Sequence, residues 1–428
     1  MTRKMKDSGI EWIGEIPENW KVNKIKHHFS IFSGATPKSE KSEYWDGEIP
    51  WITPADYKTK DKFASHGRRN ISQEGYESCG TTLVPKGSLI FSKRAPVGTV
   101  AIALNDLCTN QGCLSCVPNE MTDAVFYYYA MSVFTEQFEL VSTGTTFNEI
   151  AADVFANFIL PSPPITDQHR IASYLDTQCA KIDAVLEQTR QSIEEYKRLK
   201  QAVITRAVTK GIRPGRKMKD SGIEWIGEVP EEWEVRRIKT LFSLRDERNY
   251  LPLEEVNLIS LYTDKGVVQH SDLEKTTGNK ASNADGYKLV YENDIVVNII
   301  LCWMGAIGRS AYNGVTSPAY DIYIPSDEVD CRFYHHYFRT SGFSGDCYKR
   351  GKGIMAMRWR TYSDQFRDIR VVMPPIEEQR EILAYLDMKT AEIEKLIVKK
   401  EGFIIELESY KKSLIYECVT GKREVTQE

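Results

Sequence analysis

Apolar residues recur at alternating steps of four and three over two long stretches of this chain. The first seam runs Leu175, Cys179, Ile182, Leu186, Thr189, Ile193, Tyr196, Lys200, Val203 and Ala207. The second runs Leu386, Thr390, Ile393, Ile397, Lys400, Ile404, Leu407, Lys411, Leu414 and Cys418. This is the heptad spacing of a coiled-coil face, and no proline interrupts either stretch. Each stretch predicts a helix of about 40 residues, a rod of roughly 60 Å at a 1.5 Å rise. An amphipathic helix lying on a sheet is the alternative, but helices this long rarely cover one domain. Residues 176–195 are acidic on balance, while Lys197, Arg198, Lys200, Arg206 and Lys210 are basic. The second stretch likewise opens with Glu377, Glu378 and Glu381 and later carries Lys399, Lys400, Lys411 and Lys412. Antiparallel packing is expected, each acidic start against the other's basic end.

Before each seam the pattern changes. Over 22–160 and 235–373, short β-branched runs such as "GSLIFSKRAPVGTVAIAL" and "NDIVVNIILCWMGAIGRSAY" are punctuated by Gly, Pro and Asn. They predict strands joined by turns. "DAVFYYYAMSVF" from Asp123 and "DCRFYHHYFRTSGF" from Asp330 predict an aromatic helix in each core. Larger repeats organise these pieces. "RKMKDSGIEWIGEIPENW" at 3–20 returns as "RKMKDSGIEWIGEVPEEW" at 216–233, and "PPITDQHRIASYLD" at 163–176 returns as "PPIEEQREILAYLD" at 374–387. "ITRAVT" at 204–209 and "IYECVT" at 415–420 close the units. The chain is a tandem duplication of about 210 residues, too few copies for a solenoid. The expected division is a globule at 1–162, a helix at 163–212, a globule at 213–373 and a helix at 374–428. The fold class is α/β (α+β): two pseudo-symmetric mixed globules that share a fold, differ in loops, and are joined by two long antiparallel coiled-coil helices.

Composition adds limits. The formal net charge of −4 argues against coating nucleic acid by bulk charge, though not against local basic loops. The longest apolar run, 294–308, is broken by Asn298 and too short for a bilayer, and no secretory start is visible, so no membrane and a cytoplasmic location are expected. Nine cysteines without framework spacing fit a reducing compartment. Cys108, Cys113 and Cys116 lie close together, but nothing answers them at zinc-finger spacing, and buried strand cysteines are the better reading. His27-His28 and His335-His336 are adjacent pairs, which do not share a helix face as chelators would. No metal is expected.

Enzyme signatures are missing as well. "GDCYKRGKG" at 345–353 has the wrong spacing for a phosphate-binding loop. The two Pro-Pro pairs lead into isoleucine and read as hinges, not as a clamp for a flipped adenine. "PADYK" at 54–58 lacks the second acidic anchor a nuclease needs. What remains is basic, amide and aromatic residues on Gly-rich loops. In the first globule these are Lys58, Lys60, Lys62, Arg68, Arg69, Lys93 and Arg94, with Thr143, Thr145, Thr146 and Asn148. In the second they are Arg245, Arg248, Asn249, Lys349, Arg350, Lys352, Arg358, Trp359 and Arg360. Arg and Asn read guanine and adenine edges bidentately, while Lys and Thr more often hold phosphates. Solvated loops are the plain reading of any one of them; as clusters they predict a nucleic-acid surface.

The opening segments, "FSGATPKSEKSEYWDGEIPWITPADY" at 32–57, "RAPVG" at 94–98, "TNQGC" at 109–113 and the paired Pro-Pro-Ile segments together resemble the specificity subunit of a type I restriction-modification system. The first Pro-Pro-Ile copy departs from the family hinge, with Asp167 where glutamate is usual and His169 following. The resemblance covers essentially the whole length. It implies two target-recognition domains, each reading half of a split, asymmetric site in double-stranded DNA, with the helices setting the gap. It implies as partners two methyltransferase subunits, docked through the repeated frame, and two restriction subunits. SAM, ATP and Mg belong to those partners; this chain is expected to bind no cofactor and hold no catalytic residue. A coiled-coil scaffold with protein-binding globules is the alternative.

Overall fold

The computed structural model describes residues 3–58, 61–94, 96–143, 148–270, 283–353 and 359–426. It divides into two compact units, Met1–Thr189 with Gly402–Glu428, and Arg190–Glu401. The two long helices, Ile165–Lys210 and Ile376–Val419, are as the periodicity predicts. Each gives its beginning to one unit and its end to the other, so a compact unit does not stop where a globule stops in sequence.

In the first unit a sheet runs in the order Phe29–Ser33, Cys113–Pro118, Leu89–Ser92, Val100–Ala103, Phe63–Ala64. The strands Leu89–Ser92 and Val100–Ala103 are buried at every position, because the sheet has apolar cover on both faces. Leu89, Phe91, Leu114 and Cys116 join the core of the aromatic helix Ala124–Val133. Their neighbours Ile90, Ala101 and Cys113 join Ile52, Tyr57 and Val84 on the other side. Asp123 caps the aromatic helix, accepting from the Phe126 N–H.

The second unit repeats this frame. Its sheet runs Phe242–Arg245, Tyr320–Pro325, Ile295–Asn298, Ile307–Arg309, the order of the first four strands above. Asp330 caps the aromatic helix Cys331–Phe338, and Phe333, Tyr334, Tyr337 and Phe338 are fully buried. The shared core expected of the two globules is therefore observed. The additions differ: a three-stranded sheet around Trp45–Ile52 in the first unit, and a hairpin of Ile259–Tyr262 with Gly266–Gln269 in the second.

Each globule narrows to a two-stranded neck before its long helix. Lys21–Lys24 pairs with Ile159–Ser162, and Glu234–Arg237 pairs with Arg370–Met373. Beyond the neck, one buried glutamine fastens the helix start. Gln168 Nε2 donates to the carbonyls of Pro163 (2.9 Å) and Met121 (3.3 Å), while its Oε1 accepts from the Asp123 N–H at 2.8 Å. Gln379 does the same with Pro374 (2.9 Å), Glu328 (3.0 Å) and the Asp330 N–H (2.9 Å). Both amides therefore hold the cap residue of the aromatic helix against the first turn of the long helix.

The repeated opening segments have a common job within their own units. Ile13, Ile16 and Trp20 share a core with Leu414, Ile415, Cys418 and Val419 at the end of the second helix. Ile223, Ile226, Val229 and Trp233 share one with Ile204, Ala207 and Val208 at the end of the first. Each helix stops on a glycine in the left-handed region, Gly421 (φ +72°) and Gly211 (φ +71°). A Cβ there would come within 3.0 Å of Trp20 and 3.2 Å of Trp233. The segment is written twice because there are two helix tails to cap.

One difference between the copies has an energetic consequence. Trp20 Nε1 donates to Asp167 at 2.9 Å, and the Arg3 guanidinium lies 5.1 Å from the indole centroid. In the second copy the acid is Glu378, longer by a methylene, and it is held by Arg216. Trp233 Nε1 is buried with no partner among the described residues. Trp20→Phe should therefore destabilise by about 1–3 kcal/mol, because a buried carboxylate loses a donor, whereas Trp233→Phe should cost less. Denaturant unfolding of the two variants reads this; equal losses would contradict it.

The predicted seam follows burial closely. Leu175, Cys179, Ile182, Leu186, Thr189 and Ile193 are buried, as are Leu386, Ile393, Leu414 and Cys418, and the remaining seam positions are buried or half-buried. Cross-helix ion pairs lie within units: Lys411 with Asp183 at 2.6 Å in the first, and Lys200 with Glu394 in the second. Also in the second unit, Lys400 lies 5.8 Å from the Tyr196 ring centroid.

Candidate nucleic-acid interface

At one end of the first unit's sheet, loops distant in sequence are stitched together by their backbones. The Ala35 N–H donates to Thr109 O and Trp51 Nε1 donates to Ala35 O, both at 3.0 Å. The Lys93 N–H donates to Gly112 O, and the Ile150 N–H donates to Lys93 O, both at 3.0 Å. This brings Thr36, Lys93, Arg94, Gln111 and Asn148 onto one set of joined loops. The Thr36 hydroxyl donates to Gln111 Oε1 at 2.5 Å with both side chains exposed, which orients the glutamine amide.

The predicted cations divide by what already holds them. Lys58 is exposed with no side-chain partner among the described residues. The Arg68 side chain is 81% exposed, its Nε 3.8 Å from Asp56 Oδ1, which accepts from the Arg68 backbone N–H at 3.1 Å. Arg69 lies 4.3 Å over Trp45 and pairs with Asp46 at 3.2 Å. Lys93 and Arg94 share the Glu149 carboxylate at 2.9 Å and 3.5 Å. Hydrogen bonding from Lys93 is the main cause that holds the Glu149 carboxyl below its ordinary pKa, against a smaller burial penalty. Lys62 belongs elsewhere: its ammonium pairs with Asp176 on the first long helix, beside the Tyr128 and Tyr129 rings. That position ties the globule to its helix and removes Lys62 from the surface set. Lys60, Thr145 and Thr146 lie outside the described residues, as does Arg358.

In the second unit two expectations need correction. Asn249 is 3% exposed, its amide donating to the carbonyls of Leu251 and Ala284 at 2.9 Å each, so it braces a turn and presents nothing to a base. Arg245 is 13% exposed and bidentate on Asp294 at 2.9 Å and 3.0 Å, with Tyr291 over its guanidinium. It neutralises a buried carboxylate. Arg248 is half-buried against Asp246. Lys349 pairs with Glu224 at 2.6 Å, and Arg350 lies 3.8 Å from Asp368, both remaining largely exposed. Trp359 stacks on Tyr348 with centroids 4.9 Å apart and donates to the Tyr348 carbonyl. Lys352 and Arg360 are joined through their backbones at 2.8 Å and 3.0 Å, and neither side chain has a partner among the described residues.

Setting the two frames on each other locates what residue type alone did not. The Gly112 N–H donates to Asn110 Oδ1 and the Cys113 N–H to Asn110 O; the Ala319 N–H donates to Ser317 Oγ and the Tyr320 N–H to Ser317 O. This is one turn built twice, with Gln111 at its apex in the first unit and Pro318 in the second. The Ile150 N–H to Lys93 O bond recurs as Thr361 N–H to Ile299 O, and the Thr143–Glu149 backbone pair recurs as Lys352–Arg360. Thus Lys93 and Arg94 correspond to Ile299 and Ile300, and Glu149 corresponds to Arg360. Gln111, Thr36 and Glu149 give no basic-cluster signal, because they are an amide, a hydroxyl and an acid. The "TNQGC" motif already contained Gln111.

Among the described residues no group of three or more His, Cys, Asp or Glu could hold a metal ion, and no helix is long and apolar enough to cross a membrane. Burial pushes the Cys113 thiol up to about 12, and Cys108, Cys113 and Cys116 are buried on strands.

Comparison with known proteins adds lineage. The profile of the type I restriction modification DNA specificity domain matches residues 17–195 and 230–401. The MjaIX type I restriction enzyme specificity subunit of Methanocaldococcus jannaschii is 36% identical over 166 residues, which is 38% of this chain and 38% of that protein. The matched stretch thus spans less than half of that relative. Among solved structures, a chain from a study of complex assembly and conformational transition in a type I R-M system aligns over 95% of this chain and 99% of its own, with TM-score 0.70 at 13% identity. The HsdS subunit from Thermoanaerobacter tengcongensis aligns over 95% and 98%, with TM-score 0.55 at 15% identity. At such identities the likeness concerns the fold.

Proposed function

The chain belongs to the type I restriction modification DNA specificity domain family, and from that premise we propose that it is the non-catalytic DNA-reading subunit of a type I restriction-modification complex. Each unit reads one half of a bipartite, asymmetric site in double-stranded DNA. The long helices, 46 and 44 residues, set the gap between the halves. The order of the Tyr196–Lys400 and Lys200–Glu394 contacts supports an antiparallel pair. The partners are two methyltransferase subunits and two restriction subunits; SAM, ATP and Mg act on those partners, and this chain binds no cofactor.

The observation that carries this reading is a repeated frame with unlike loops. Core strands, neck, helix lock and turn are built twice, which suits docking two copies of one partner by pseudo-two-fold symmetry. The loop positions differ, Lys93, Arg94, Gln111 and Glu149 against Ile299, Ile300, Pro318 and Arg360, which suits half-sites of different sequence. Among the basic residues, Lys58, Arg68, Lys352 and Arg360 are the least encumbered, and these contact DNA.

The assembled complex should lose DNA affinity steeply as salt rises, since each neutralised phosphate contributes about −0.9 to the slope of log K against log salt. Lys352→Ala with Arg360→Ala should flatten that slope by about 1–2 and leave assembly with the methyltransferase intact. A flat salt response in the wild-type complex would favour a protein-binding scaffold instead.

A further inference from the structure

We propose that Glu149 is a specificity-determining residue of the first unit, because its carboxylate competes with DNA phosphates for Lys93 and Arg94. This inference rests on the DNA-reading function above. The two cations are adjacent, on the loop that follows strand Leu89–Ser92, and the loop is hydrogen-bonded to the Gly112 turn and to Ile150. Both reach the same carboxylate, at 2.9 Å and 3.5 Å. Glu149 is itself held by a two-way backbone pair with Thr143, at 3.1 Å and 3.0 Å. The site is therefore a fixed anion between two fixed cations at the edge of the candidate surface. Lys93 is only 15% exposed, so to meet a phosphate it must first leave the carboxylate.

That requirement discriminates between DNA sequences. An arbitrary duplex offers phosphates alone, and they must displace a carboxylate already in place. A matching half-site also engages the oriented Gln111 amide and Thr36 on the joined loops. That engagement brings the backbone close enough to take over Lys93 and Arg94. Strong charge-assisted contacts are thus withheld until base edges fit. Among the described residues the second unit has no counterpart of this device. Arg360 stands where Glu149 stands, beside Ile299 and Ile300, so a cation replaces the acid at this position.

The test uses the full chain assembled with its methyltransferase subunits, titrated with a duplex carrying the methylated site and with a scrambled duplex over a range of salt. Glu149→Gln keeps the side-chain shape and removes the charge. Scrambled DNA should then bind about tenfold more tightly, with a salt slope steeper by about 1–2 as two more phosphates are neutralised. The ratio of specific to scrambled affinity should fall. Unchanged scrambled binding with an unchanged slope would overturn the proposal. A second variant does not depend on the folding of the first. Lys93→Gln with Arg94→Gln in the otherwise wild-type chain should weaken specific binding but alter scrambled binding less than about twofold. Equal weakening of both would also overturn it. Failure of the wild-type complex to bind DNA in a salt-dependent way would instead sink the DNA-reading function itself.

Discussion

Gln379→Leu should destabilise the second unit by roughly 2–4 kcal/mol, a large part of the total stability of an ordinary domain. The leucine fills similar space, so the loss comes from polarity. The amide holds the carbonyls of Pro374 and Glu328 and the N–H of Asp330, and the residue is 0% exposed, so no water replaces it. A buried backbone group left without a partner costs about 1–3 kcal/mol; the Pro374 carbonyl is left so, while the Asp330 N–H and the Glu328 carbonyl, on less buried residues, lose a partner at smaller cost. Because Asp330 caps the aromatic helix, the loss also loosens Phe333 and Tyr337 against the sheet. Gln168→Leu should do the same in the first unit through Pro163, Met121 and Asp123. Guanidinium unfolding measures both, and a change below about 1 kcal/mol would show the lock to be dispensable. The lock gives the repeated Pro-Pro-Ile-x-x-Gln motif a physical reason: the prolines end the neck, and the glutamine fixes the helix that follows.

Much of this fold was legible in the sequence because its signals are periodic or repeated. The heptad steps from Leu175 and from Leu386 are sums over many residues, and a few polar occupants such as Thr189 and Lys400 do not erase them. The aromatic helices announced themselves by density. The surface was less legible, because a cation's role depends on a partner brought from far along the chain. Arg245 meets Asp294 across 49 residues, and Lys62 meets Asp176 across 114. Neither partner could be assigned from loop composition. Asn249 has the side-chain type of a base reader, but the amide that suits adenine suits two backbone carbonyls equally well. An acid such as Glu149 counts against nucleic acid in a charge tally, although it pairs with the two cations beside it. Its position stands out only in the register of one copy against the other, where Arg360 takes its place.

The same frame fixes where an exchange can be made. Residues 22–160 begin and end in the first neck, where Val22 pairs with Pro161 and Asn23 with Leu160, so both cut points are hydrogen-bonded neighbours. A foreign globule grafted there replaces every loop of the first candidate surface. It leaves Trp20, Gln168, the helices and the second globule untouched. The decisive measurement is a map of adenine methylation in DNA from cells that express this chain with its methyltransferase, before and after that exchange. A two-part motif in which one half changes completely, while the other half and the gap stay fixed, is the predicted result. A motif altered in both halves, or in neither, would contradict the assignment of one half-site to each unit.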